Sequence, residues 1–191
     1  MAYFVTGATG FIGRYLVERL LARGERVFVL VRPQSARKLE ALREFWGARA
    51  SRVVPVAGNL SEPNLGVSRA DLRKLTGKVD HLFHLAAVYD LQATAEEQDL
   101  ANIVGTDHAM QFAEAVQAGC FHHASSIAAA GLYQGSFREN MFEEASGLEH
   151  AYFRTKHESE ALVRGRCKRP WRVYRPGIVV GHSQTGQIDK V

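Results

Sequence analysis

Cysteine is scarce in this 191-residue chain: Cys120 and Cys167 are the only two, and they carry no metal-like spacing. That excludes a disulfide-stapled scaffold or a cysteine-built zinc module, and it leads us to expect a reduced, cytoplasmic setting and no metal site. Long hydrophobic runs are missing too. None approaches the roughly 20 apolar residues that a membrane-spanning helix needs. The N-terminus, "MAYFVTGATG", enters an apolar strand pattern at once, without the charged segment and apolar core of a signal peptide. Charge of one sign is modest: Lys plus Arg number 24 against 20 Asp plus Glu, a formal net charge of +4. The basic clusters "ARGER" and "CKRPWR" are short and lie beside strand candidates. Nucleic acid is therefore not an expected partner, whereas a phosphate-bearing cofactor would need only a few of these cations.

The remaining composition, 46% hydrophobic and 23% charged, is that of a single globular domain over residues 1–191 with a sizeable core. Apolar runs of strand length occur at 3–7, 26–31, 52–58, 79–87, 120–126 and 171–180. Helical patterns separate them. Ile12, Leu16 and Leu20 repeat at every fourth position, a second pattern covers about 100–118, and a third begins near His150. This alternation predicts an α/β fold of Rossmann type, a doubly wound parallel sheet with helices on both faces. Pro55 cannot donate to a central ladder. It suits the third strand only if that strand lies at or near the edge, as in the order 3-2-1-4-5-6. Residues 60–78 read as a loop followed by a short helix. The polar stretch "GHSQTGQIDKV" at 181–191, with no closing helix after the last strand pattern, reads as a truncation before a C-terminal substrate-binding segment.

"TGATGFIG" places Gly7, Gly10 and Gly13 between the first strand and the first helix. Gly7 allows the sharp turn, Gly10 a close approach of backbone to a pyrophosphate, and Gly13 close packing of helix on sheet. The helix N-terminus adds free N–H groups and the positive end of its dipole. Thr9, Phe11 and Ile12 share this turn and are expected at the cofactor. A bare strand–helix turn is the competing reading, but the required context favours a dinucleotide. After the second strand the chain reads "FVLVRPQSARK", with no acid for a ribose 2′-hydroxyl before Glu40. Arg32 stands there instead and can pair with a 2′-phosphate, helped by Ser35, Arg37 or Lys38. The expected cofactor is NADPH rather than NADH.

"YFRTKHESE" sets Tyr152 and Lys156 one helical turn apart on one face. Chance also produces such a spacing, so its context decides. With "TGATGFIG", "ASSIAAAG" at 124–131 and "YFRTK" at 152–156, the whole chain resembles an extended short-chain dehydrogenase/reductase. More narrowly, it looks like the N-terminal domain of bacterial alcohol-forming fatty acyl-CoA reductases and is similar to thioester reductases. The resemblance implies a Ser–Tyr–Lys site with an Asn: Ser126 rather than Ser125 by the family's spacing, Tyr152, Lys156 and Asn102. It implies a cofactor contact from the loop "RPG", including Pro176, and from Tyr152 and Lys156 themselves. It also implies adenine contacts after the third strand. The family commonly has Gly-Asp-Leu there and this chain has Gly58-Asn59-Leu60, so Asn59 and Leu60 are the expected contacts and binding is expected to be weaker rather than lost. Ala86 and Ala87 end the fourth strand on small residues that a close cofactor would require.

The implied activity is NADPH-dependent reduction of a fatty aldehyde or fatty acyl thioester towards the alcohol, with a lipid-like small molecule as partner and a second reductase domain in the longer protein. Two rivals stand beside it. A sugar-nucleotide epimerase or dehydratase, or a hydroxysteroid-type dehydrogenase, shares the fold and the triad, but epimerases keep NAD, against Arg32. A non-catalytic NADP-sensing regulator would usually lack the Tyr–Lys pair. His81 and His84 point to opposite faces of one strand, as do His122 and His123, so neither pair is expected to bind metal. His84 is expected near the cofactor crevice. Phe137 and Met141 are candidate walls for an acyl chain, with ordinary packing as the alternative.

Overall fold

A computed structural model of the protein describes residues 1–88, 93–181, 183, 184 and 186. Most of the polar stretch 181–191 therefore lies outside the described residues. Six strands form one parallel sheet: β1 (Ala2–Thr6), β2 (Arg26–Val31), β3 (Val53–Ala57), β4 (His81–His84), β5 (Cys120–Ala124) and β6 (Trp171–Tyr174), in the order β3-β2-β1-β4-β5-β6. This is the expected order, with Pro55 opposite Val29 on the edge strand β3. The strands are shorter than the apolar runs, because 85–88 and 175–181 leave the sheet at its C-terminal end to form loops.

Helices cover the sheet as the apolar patterns dictate. On one face α1 (Phe11–Ala22) and α2 (Ala36–Trp46) bury Val17, Leu21, Leu39 and Trp46 against Tyr3, Val5, Val27 and Val29. The apolar spacing had not singled out α2, whose described buried residues are only Leu39 and Trp46. On the other face α5 (Gly105–Ala115) and α6 (Ala151–Arg166) bury Phe112, Ala113 and Val163 against Phe4, Leu82 and Phe121. The rings of Phe4 and Phe112 lie 4.5 Å apart. The short α3 (Arg69–Leu75) follows the loop after β3, its N-terminus capped by Ser68, whose side chain accepts from the Asp71 N–H.

The helix expected over 100–118 begins earlier and is not uniform. Thr94 and Glu97 form a reciprocal capping box that starts α4 (Ala95–Gln98), and a π-helical segment, Asp99–Val104, leads into α5. Strands β1 and β4 are neighbours whose crossovers run in opposite directions. The crevice beyond their C-terminal ends is the ligand position for this topology. Among the described residues no helix is long and apolar enough to cross a membrane.

Candidate active site

The glycine turn sits at the mouth of that crevice. Gly7 has φ +73°, and a Cβ there would stand 2.7 Å from the backbone nitrogen of Ala86. A Cβ on Gly13 would stand 2.0 Å from the Gly7 carbonyl oxygen. Both positions therefore demand glycine on steric grounds. Gly10 is the N-cap of α1 and brings no capping side chain, so the first N–H groups of the helix are left for a ligand.

A cavity of about 770 Å³ opens here. Gly7, Thr9, Gly10, Arg32, Asn59, Leu60, Ala86 and Ala87 all line it, together with Val88, Glu97 and Leu100. Eight of the residues singled out in the sequence are thus gathered from the ends of β1, β2, β3 and β4 into one site. Phe11 and Ile12 are not among them. Their side chains line a separate cavity of about 400 Å³ with Tyr15 and Val179, while their main-chain N–H groups are the first two of α1. Asn59 holds its own loop: its N–H donates to the Leu65 carbonyl and its Oδ1 accepts from the Ser61 N–H. A cradle that excludes Cβ atoms, an uncapped helix start and a cation at the end of β2 fit a dinucleotide phosphate group.

A directional hydrogen-bond chain braces the back of this site. The Ala86 N–H donates to Thr6 Oγ1 (3.3 Å), which lies 2.8 Å from His84 Nδ1. His84 Nε2 lies 3.0 Å from Thr106 Oγ1, and Thr106 donates to the Asn102 carbonyl (2.7 Å). Each hydroxyl has one proton, so Thr6 donates to Nδ1 and the His84 proton resides on Nε2. Burial, then the Lys156 charge, pushes the His84 pKa down to about 3, which keeps this tautomer neutral. His84 is thus at the crevice, as expected, but as a brace.

The second half of the site lies at the end of β5. Ser125 and Ser126, adjacent in sequence, are given different tasks. Ser125 is buried and donates to Glu160 (2.8 Å). Ser126 is half-buried in extended conformation and caps the 3₁₀ turn Ile127–Ala130 by accepting from the Ala128 N–H (3.1 Å). Tyr152 and Lys156 occupy successive turns of α6. Lys156 is 6% exposed and donates to the Ala124 carbonyl (3.1 Å), two residues before Ser126. Burial lowers the Lys156 pKa to about 8. Asn102, in the π-helical segment, clamps Val88 by accepting from its N–H (2.8 Å) and donating to its carbonyl (3.1 Å). It also donates to Thr155 (3.2 Å), which lies between Tyr152 and Lys156. One side chain thereby joins the cavity wall to the Tyr–Lys helix. Pro176 sits beside the serine, its carbonyl accepting from the Ile127 N–H (3.1 Å).

Of the four candidate catalytic residues, Ser126 follows the end of β5 that Lys156 bonds, Asn102 reaches the Lys156 helix through Thr155, and Tyr152 stands one turn before Lys156; none of the four is among the residues lining the cavity. Sequence reasoning missed the roles of Thr6, Thr106 and Glu160. Glu160 had one signal, its position one turn beyond Lys156. His81 and His122 do lie on the face opposite His84 and His123, as alternation requires, but across strands they meet. His81 Nδ1 is 2.9 Å from His122 Nε2, and Tyr174 hydrogen-bonds His122 Nδ1.

Comparison with known proteins agrees with this geometry. Residues 5–191 match the NAD-binding domain family described as Male sterility protein. A linear gramicidin synthase polypeptide of Brevibacillus parabrevis is 31% identical over 205 residues, covering 99% of this chain and 4% of that protein. An aldehyde reductase of Aspergillus flavus is 29% identical over 204 residues, covering 96% of this chain and 20% of that protein. The crystal structure of the terminal R domain from the myxalamid PKS-NRPS biosynthetic pathway is 30% identical with a TM-score of 0.85, covering 98% of this chain and 52% of that one. The chain thus spans about half of that solved reductase domain and a small part of the curated relatives. It belongs to the Male sterility protein family of NAD-binding reductase domains, of the extended short-chain dehydrogenase/reductase type.

Proposed function

Starting from that membership, we propose that this chain is the cofactor-binding and catalytic part of an NADPH-dependent reductase acting on an acyl thioester, fatty or carrier-bound, or on the matching aldehyde. The observation that supports the reading is the Asn102 bridge, which ties Val88 in the wall of the glycine-turn cavity to Thr155 on the helix with Tyr152 and Lys156. The relatives' names, a gramicidin synthase, a terminal R domain and an aldehyde reductase, favour a thioester or aldehyde over a sugar nucleotide.

In this reading Gly7, Gly10 and the α1 N-terminus hold the pyrophosphate. Arg32 pairs with the 2′-phosphate, and Asn59 and Leu60 face the adenine. Bound there, NADPH supplies a hydride. Ser126 donates a hydrogen bond to the substrate carbonyl oxygen and fixes its direction. Tyr152 gives its phenolic proton to that oxygen as charge develops on it, a contribution worth about 10²–10⁴ in rate. A free phenol has a pKa near 10 and gives its proton reluctantly at neutral pH. Lys156, charged below its lowered pKa of about 8, favours the phenolate and so makes Tyr152 the stronger acid. Pro176 holds the loop against the serine turn. Phe137 and Met141 stand on the connection between β5 and α6 as the acyl-facing wall.

The test is NADPH oxidation by the full-length gene product with a long-chain acyl-CoA, a carrier-bound acyl thioester and a long-chain aldehyde in separate runs. The expected result is turnover on at least one, reduced about 10²–10⁴-fold in Tyr152→Phe with NADPH affinity unchanged. Binding of NADPH without turnover on any of the three would overturn the reading in favour of a cofactor sensor or an epimerase-like enzyme.

A further inference from the structure

Glu160 is a fully buried carboxylate one turn beyond Lys156. It accepts from Ser125 Oγ (2.8 Å), Arg164 Nε (2.7 Å), Arg175 Nε (3.0 Å) and Arg175 Nη2 (2.6 Å). Burial acts to raise its pKa. The hydrogen bonds from Arg175, Arg164 and Ser125 outweigh this and lower it, so the carboxylate stays ionised. Arg175 does more than neutralise Glu160. Its Nη1 donates to the Arg138 carbonyl (3.3 Å), its Nη2 to the Met141 carbonyl (2.9 Å), and its guanidinium lies 5.1 Å from the centre of the Phe137 ring.

One ion pair therefore ties together three segments distant in sequence: the serine end of β5, the loop after β6, and residues 137–141. The last belong to a long irregular connection with little buried surface of its own. A buried ion pair is weak evidence for stability, since its desolvation cancels much of its attraction. Such pairs are retained more convincingly where they fix one arrangement among several. The fork of arginine suits that task, because its donors point in set directions.

We propose that Glu160 and Arg175 are positioning residues for the substrate, which hold the Phe137–Met141 wall in register with Ser126 and Tyr152. This rests on the reductase reading above. Neither residue is among those lining the glycine-turn cavity, although Arg175 precedes Pro176, an expected cofactor contact; loss of the pair is expected to act on substrate more than on cofactor.

The experiment compares the full-length protein with Glu160→Gln, Arg175→Lys and the double variant Glu160→Met/Arg175→Met. Each is measured for KM and kcat with an acyl-CoA and an aldehyde, NADPH Kd, Tm, and trypsin cleavage after Arg138. The single variants are expected to raise the substrate KM about 10–100-fold, the worth of charge-assisted hydrogen bonds, with NADPH Kd within about twofold. Trypsin is expected to cut faster after Arg138 in all three variants. The double variant, which leaves no unpaired buried charge at these two positions, is expected to recover Tm without recovering KM. Recovery of KM together with Tm would reduce the pair to a stability role and overturn the proposal. A rise of NADPH Kd in step with KM would overturn it as well. If the unaltered protein turns over neither the acyl-CoA nor the aldehyde nor a carrier-bound acyl thioester, the reductase reading fails by itself. The cleavage rate after Arg138 then still decides whether the clasp holds the wall, and an unchanged rate refutes it.

Discussion

Up to Phe83 the described interior contains one buried polar side chain, Thr6, whereas His84 to Glu160 bury eleven more, among them Asn102, Lys156 and Glu160. The two halves build the same kind of strand–helix unit, so the fold does not impose this contrast. In the first half the proposed cofactor site is built of main chain: a left-handed Gly7, a close-packed Gly13 and the uncapped N–H groups at the start of α1. Apolar side chains need only hold that backbone in place. In the proposed mechanism the second half must aim a hydroxyl, a phenol and an ammonium at the substrate. Of these Lys156 is buried, and the buried polar side chains around it need partners, because an unpaired polar group inside a protein costs about 1–3 kcal/mol. The partnered side chains include His84 between two threonines, Asn102 on Val88 and Thr155, and Glu160 under two arginines. His123 Nδ1 is a described exception, buried without a partner.

The contrast can be broken at Gly13. A Cβ 2.0 Å from the Gly7 carbonyl forces the turn open, and overpacking of this kind costs about 1–3 kcal/mol. Gly13→Ala is expected to lower Tm by roughly 2–4 °C for each kcal/mol and to remove measurable NADPH binding in a fluorescence titration. Retained affinity would mean that the main-chain turn is not the phosphate site. A smaller effect is expected at Arg32, the side chain proposed to select the cofactor. Arg32→Ala should weaken NADPH about 10–100-fold while NADH binding changes little. Equal losses for both cofactors would assign Arg32 to the adenine or to packing.

The smallest effect sharpens the other side of the comparison. Burial of the Lys156 ammonium is a cost to stability that the proposed mechanism would explain, so Lys156→Met is expected to raise Tm at pH 7 by a few degrees while abolishing turnover. The folded-state pKa of about 8 lies below the ordinary lysine value near 10.4, so between these the unfolded chain holds a proton that the folded one has released. Stability of the unaltered protein must therefore rise with pH across that window, and the advantage of the methionine variant must shrink as it does. Thermal melts of both proteins from pH 7 to pH 10 check the sign. A constant gap would show that Lys156 is not strained by burial.

Much of this was legible in advance, for identifiable reasons. Strand order followed from alternation and from Pro55, since a residue without an N–H is confined to an edge by local chemistry. The "TAEE" capping box at Thr94–Glu97 was readable too, and would have started the helix before residue 100 where the apolar spacing did not. The π-helical segment carrying Asn102 had no such signal. Its hydrogen-bond shift is set by what Asn102 reaches, Val88 and Thr155, and neither is a local neighbour.

By itself the sequence determined the parallel sheet, the glycine turn and the helical spacing of Tyr152 and Lys156, because steric limits at glycine and proline and the periods of strand and helix act within a few residues. Only the tertiary structure decided that Ser125 is a brace and Ser126 a cap of the next turn, that the Phe11 and Ile12 side chains line a separate cavity, and that Glu160 and Arg175 join distant segments. Those outcomes depend on which groups are desolvated and which donors stand within 3 Å of them, and both are properties of contacts made across the fold.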